Sequence, residues 1–220
     1  MKKIILTLVF SLFFANICLA GASETLLDSA NTLKDMVRTE NKIPKSILAK
    51  SLAIVIVPDT KRAAFFVGGE YGEGVASIKK FDGSWSSPFF IKFTGGSFGW
   101  QFGFDMNSII LIFNSQKSVN SLLSKSITMG IDASISAGPL AKTYEKNSKI
   151  DLSAEIFSYR KSEGLFLGVL LKGAVVSQDN AKNIEYYGNG ARAKSIVNLK
   201  NRQDSYSSKE FFKVIKQIKE

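Results

Sequence analysis

The chain has 220 residues, 45% of them hydrophobic and 22% charged, an ordinary globular composition at a length that suits one domain. It has no histidine and one cysteine, Cys18. Ordinary zinc, copper and haem sites therefore lack their preferred ligands, and a Ser-His-Asp hydrolase lacks its proton acceptor. The formal charge of +10 points to anionic counter-surfaces.

Residues 1–20 read as a secretory signal: Lys2 and Lys3 precede an apolar run from Ile4 to Leu19, and small residues follow. Cleavage fits after Ala20 or after Ala22. An uncleaved membrane anchor is the alternative, although the run falls short of the ~20 residues that span a bilayer. Ile17 before Cys18 is not the small residue that lipoprotein signals want. Removal of residues 1–20 leaves residues 21–220 as a single domain with no cysteine and a formal charge of +8. The expected address is periplasmic or secreted, in the cell envelope, where nucleic acid is not an expected partner and anionic lipid or polysaccharide is.

Ser23 to Glu40 reads as a helix capped by Ser23, with Leu26, Ala30, Leu33 and Val37 as its buried stripe. Lys34, Arg38 and Lys42 step along one flank. Pro44 interrupts, and Ser46 to Lys50 reads as a second, short helix. Strands are expected at Leu52 to Val57, Ala63 to Val67 and Val75 to Lys80, with an Asp82-Gly83 hairpin turn toward Trp85. From Ser97 to Phe104 the chain alternates, Phe98, Trp100, Phe102 and Phe104 on one face, Ser97, Gly99, Gln101 and Gly103 on the other. Ile109 to Phe113 is apolar throughout, as in a strand buried on both faces.

Gln116 to Ser124 reads as a helix, Ile127 to Ala137 as one alternating strand, and Asp151 to Arg160 with Leu165 to Val176 as a hairpin. Helices close the chain at Gln178 to Tyr187 and Lys209 to Lys219. Consecutive strands with helices gathered at the ends predict an α+β fold. It would be a large, curved, mainly antiparallel sheet of about eight strands, with N- and C-terminal helices packed on it.

Three motifs tempt. Gly95-Gly96-Ser97-Phe98-Gly99 has the spacing of a nucleophile elbow but leads into a strand, which leaves only a Ser-Lys dyad with Lys92. Gly68-Gly69-Glu70-Tyr71-Gly72-Glu73-Gly74 resembles a nucleotide loop but opens no helix that would hold a phosphate. Asp132 and Glu155 would form a carboxylate pair if their strands met, against which stands a structural hydrogen-bonding role. None of these predicts an enzyme, and no cofactor or metal is expected.

The segment from about Pro44 to Gly188 resembles a SYLF domain, also described as a yeast-type actin-binding domain, in its secreted bacterial single-domain form. The resemblance rests on Ile54-Val55-Ile56-Val57-Pro58, on Phe66 to Gly74 and on Trp85-Ser86-Ser87-Pro88. It continues through Thr94 to Gln101, Gly130 to Ser134, Ala137-Gly138-Pro139, Ile156 to Tyr159, Gly164-Leu165-Phe166 and Tyr186-Tyr187-Gly188. It implies a non-enzymatic domain that binds anionic lipid headgroups, phosphoinositides among them. Glu70 departs from the family, which often has Arg or Lys there.

The expected partner is therefore an anionic phospholipid or membrane surface, with an envelope or host protein as a further possibility and no actin. Charge clustering nominates Lys34, Arg38, Lys42, Lys45, Lys61 and Arg62 as the lipid-binding residues. Alternatives are a structural or protein-binding envelope module and an outer-membrane barrel.

Overall fold

The computed structural model describes residues 21–38, 43–65, 67–97, 107–141, 153–162, 165–199 and 204–219. Its centre is β1 (Ala53–Phe65), flanked by β2 (Val67–Ile78) and β4 (Asn107–Phe113). β3 (Phe89–Ser97), β5 (Ser126–Thr128), β6 (Ile135–Ala137), β7 (Ile156–Ser162), β8 (Leu165–Gly168) and β9 (Val175–Gln178) complete the sheet. The order is β5-β9-β3-β2-β1-β4-β7-β6, with β8 also on β7, and every pairing is antiparallel except β6 with β7. The expected curved, mainly antiparallel α+β fold is borne out.

The centre is apolar on both sides. Ile54, Ile56, Ile110 and Ile112 face one core and Val55, Val57, Ile109 and Leu111 the other, none more than 1% exposed. Burial of both faces requires a cover on each. The first is covered by α1 (Ala22–Arg38), through Leu26, Ala30, Leu33 and Met36, and by α6 (Tyr206–Ile215), through Phe211 and Ile215. α2 (Lys45–Lys50) adds Ile47 to this layer. The second face is covered by α3 (Gln116–Ser124) and α5 (Ala193–Val197), which bring Val119, Leu122, Ala193 and Ile196. α4 (Asn180–Tyr187) joins the two layers. The sheet is thus sandwiched by helices, where a membrane barrel would turn one side of each strand to lipid.

Several expectations need correction. α1 starts at Ala22, so Ser23 is an exposed residue of the first turn and not its cap; Ala22 donates its N–H to Glu185 Oε1 at 2.9 Å instead. Pro58-Asp59 does not end a strand. β1 runs through it with a register shift between Ile56 and Asp59, because a bulge tolerates a residue that has no N–H. Ile127 to Ala137 is two short strands, β5 and β6. Between them Gly130, at φ +78°, turns the chain, and Asp132 accepts the Thr128 N–H at 2.7 Å. The second arm of the expected hairpin is likewise split into β8 and β9 by a turn at Gly173. The aromatic alternation from Phe98 to Phe104 lies outside the described residues.

The glycine run is a strand. Beside the β1 bulge, the backbones approach so closely that a Cβ on Gly74 would lie 2.0 Å from the Ile56 carbonyl oxygen. One on Gly72 would lie 2.5 Å from Val57 Cγ1. Gly69, in the same strand, has nothing within 4 Å. Gly74→Ala should therefore cost about 3 kcal/mol or more by forcing β1 and β2 apart, whereas Gly69→Ala should be close to neutral. Urea denaturation of the two variants checks the contrast.

Candidate functional site

The six nominated basic residues do not form one cluster. Lys34 is half-buried and Arg38 exposed on one flank of the outer face of α1. The other flank carries Glu24, Asp28 and Asp35, at spacings that share a helix face. Asp28 is pushed above the ordinary carboxylate range by burial first, then by Glu24 and by Asp59 of β1. Asp35 is ion-paired with Lys161 of β7. The surface is therefore mixed rather than uniformly basic. Lys45 is exposed in the first turn of α2. Lys61 is exposed opposite Tyr71 in the β1–β2 ladder, and Arg62 lies opposite Glu70. Lys42 lies outside the described residues, and so does the side chain of Arg62.

Charge inside the molecule is paired. Arg160 of β7 grips Glu70 of β2 with both guanidinium ends, at 2.6 and 2.8 Å. Their side chains are only 13% and 4% exposed. In ladder order β1 and β4 separate those strands, so the pair closes over the curl of the sheet. Glu70 is thus a structural acid. Lys182 of α4 gives one hydrogen bond to Glu73 Oε2 at 2.6 Å and another to Thr25 Oγ1 at 2.7 Å. Tyr71 donates to Glu73 Oε1 at 2.9 Å. Burial first, then that hydrogen bond, raises the Tyr71 pKa. This joint ties α1, β2 and α4 together.

The other predicted chemistry resolves into the same role. Lys92 lies 3.5 Å from Asp179, and the side chain of Ser97 lies outside what the structure describes. Asp132 holds the turn described above. Glu155 accepts the Ser134 N–H at 2.9 Å and the Ser115 hydroxyl at 2.8 Å, in a pocket of about 160 Å³ that Lys50 and Asn114 also line. Both carboxylates serve backbone donors. No group of three His, Cys, Asp or Glu among the described residues is placed to hold a metal ion.

Residue-by-residue clustering in the sequence missed one convergence. Lys125, Arg192 and Lys194 line a groove of about 420 Å³ together with Ser124, Gln178 and Asn180. Lys125 follows α3 and Arg192 precedes α5, so only the β5–β9 pairing unites them. No local pattern in the sequence signals this meeting.

The fold and its bracing define the class, an α+β protein whose single curved sheet is covered by helices and cross-linked by internal ion pairs. The comparisons narrow it to a family. A family model described as "Ysc84: Las17-binding protein actin regulator" matches residues 94–218. LAS seventeen-binding protein 3 of Saccharomyces cerevisiae is 34% identical over 160 residues, covering 70% of this chain and 34% of that protein. Human SH3 domain-containing YSC84-like protein 1 is 31% identical over 156 residues, covering 70% of this chain and 45% of that one. The chain belongs to the SYLF (Ysc84) domain family. It spans between a third and a half of the length of these relatives.

One expectation is overturned here. Actin was set aside because of the secretory signal, a feature outside the domain, whereas the matched family is itself described as an actin regulator and its relatives as Las17-binding proteins. No residue of the domain argued against such a partner.

Two internal contacts are open to test. Arg160→Leu leaves Glu70 buried beside an apolar side chain and should destabilise the fold by about 3 kcal/mol, read by chemical denaturation. The Ser134 N–H, then the Ser115 hydroxyl, hold the Glu155 carboxyl below its ordinary value of 4.5. Such a group stabilises the fold above the ordinary value and loses that contribution as pH falls through the lowered one. Glu155→Gln should therefore flatten the loss of stability on acidification below 4.5 while leaving its slope near neutrality unchanged.

Proposed function

We propose that the protein is a non-enzymatic module that binds anionic lipid headgroups at a membrane surface, in the cell envelope if the predicted leader is removed. One observation carries this reading: cations outside the internal ion pairs stand exposed at the surface, and three of them gather in one groove. Glu70, Glu73, Asp179 and Glu155 are engaged by structural donors. Lys61, Lys125, Lys172, Arg192 and Lys194 are exposed. The formal charge of the full sequence, +10, has the matching sign. A phosphate-rich bilayer is a natural counter-surface for such a face. Lys34, Arg38, Lys42, Lys45, Lys61 and Arg62 supply diffuse attraction in this scheme.

The comparisons favour a second reading, in which the partner is actin or a Las17-like protein, since the family is described as a Las17-binding actin regulator and the yeast relative is named for binding LAS seventeen. The two separate by salt dependence and by partner. Co-sedimentation with neutral and phosphatidylglycerol-containing vesicles, across a salt series, should show binding to the anionic vesicles alone. That binding should fall steeply as salt rises past about 0.15 M, where the Debye length is about 8 Å. Absence of vesicle binding together with co-sedimentation with actin filaments would replace the lipid reading by the protein one.

A further inference from the structure

We infer that the groove between α3, β9 and α5 is a recognition site for a single phosphate group, with Lys125, Arg192 and Lys194 as its ligands. This rests on the reading above and gives it a location. The groove brings cations together where other parts of the molecule pair them: Lys161, Lys209 and Lys213, for example, each have a carboxylate within salt-bridge distance. Among the described residues, the lining of the groove contains three cations and no carboxylate. The nearest acid in sequence, Asp179, is 2% exposed and turned inward, where it accepts the Lys182 N–H and lies 3.5 Å from Lys92.

Like charges held in one concavity repel, and an anionic phosphate placed among them relieves that cost. The remaining lining suits the same ligand. Ser124, Ser177, Gln178 and Asn180 offer neutral hydrogen-bonding groups beside the cations, and Leu123 gives an apolar wall. Arginine presents a planar fork that matches phosphate oxygens, and lysines add point charges. At about 420 Å³ the groove is within the size range of small-molecule sites.

The mounting is firm. Gln178 donates its backbone N–H to the Lys125 carbonyl at 3.3 Å and its side-chain amide to the Leu122 carbonyl at 3.2 Å. Arg192 donates its N–H to Ser195 Oγ at 3.0 Å, and that hydroxyl returns a bond to the Arg192 carbonyl at 2.8 Å. Its guanidinium makes one bond to the neighbouring Ala191 carbonyl, at 3.1 Å, and keeps its other donors for a ligand.

The phosphate can belong to a lipid headgroup or to a small phosphate ester in solution, and the test separates these. The protein as recovered from the cell is titrated with glycerol 3-phosphate, followed by calorimetry, and with phosphatidylglycerol vesicles, followed by co-sedimentation. Two variants are compared, K125E/R192E/K194E in the groove and K34E/R38E/K61E elsewhere, which change the net charge equally. All six residues are outside the core, and circular dichroism checks that both variants fold.

The expected result is a loss of about tenfold or more in vesicle affinity for the groove variant, the scale of one charged hydrogen-bonded contact, with a much smaller loss for the other. Glycerol 3-phosphate should compete with vesicles for the wild type only. Equal losses in the two variants would overturn the groove as a site while leaving diffuse attraction to anionic membranes intact. Binding of glycerol 3-phosphate without vesicles would support the groove and overturn the membrane reading. Failure of the wild type to bind either would overturn both.

Discussion

The structure depends on burial of the β1–β4 centre from both sides. A strand whose alternate side chains are all apolar cannot leave either face in water, so the fold must supply two covers. They come from separated parts of the chain. α1 and α6 meet on one face although they lie near opposite ends, and α3 and α5 take the other. The same demand explains why the polar cross-links fall where they do. Lys182 ties α1 to β2 through Thr25 and Glu73, and Arg160 closes the curl onto Glu70. Tyr187 reaches the Pro88 carbonyl at 2.6 Å, and Asn183 accepts the Phe90 N–H at 2.8 Å, so α4 is pinned to the start of β3.

Charge is sorted by this architecture. Glu70 and Asp179, buried carboxylates, find a guanidinium and a backbone N–H, as desolvated charges require. The cations left over are outside, and those around β5 and β9 share a concavity. Net charge read from composition conveys the sign of a partner but not the place of contact. That place is decided by tertiary packing.

The legible parts of the sequence were those governed by local periodicity. Ile109 to Phe113, apolar at every position, is a strand buried on both faces, and Gln116 to Ser124 is a helix, with Val119 and Leu122 buried and Leu123 half-buried. The Asp82-Gly83 turn holds as well, with Gly83 at φ +77° and Asp82 accepting the Ser84 N–H. What was not legible depended on distant neighbours. Alternation from Ile127 to Ala137 gives no hint that Asp132 folds back on Thr128. α5 is too short to show a period. Gly72 and Gly74 look like a phosphate loop until the bulge in β1 is seen to press against them. The candidate site was read from runs of neighbouring lysines, whereas the groove is assembled from positions on either side of β9 and is silent in one dimension. Asp35, next to Lys34 in the sequence, is likewise paired with Lys161 of a distant strand, a contact that no local pattern signals.

The bond from the Ala22 N–H to Glu185 couples the start of α1 to α4, across 163 positions of the chain. Gly21 supplies the carbonyl that accepts the Thr25 N–H at 2.9 Å, and Ala22 is 1% exposed, so the first turn of α1 is part of the packed body. A single carboxylate late in the chain thus serves as the helix's missing N-terminal cap. Loss of that carboxylate would be felt as fraying at the other end of the fold's first helical cover.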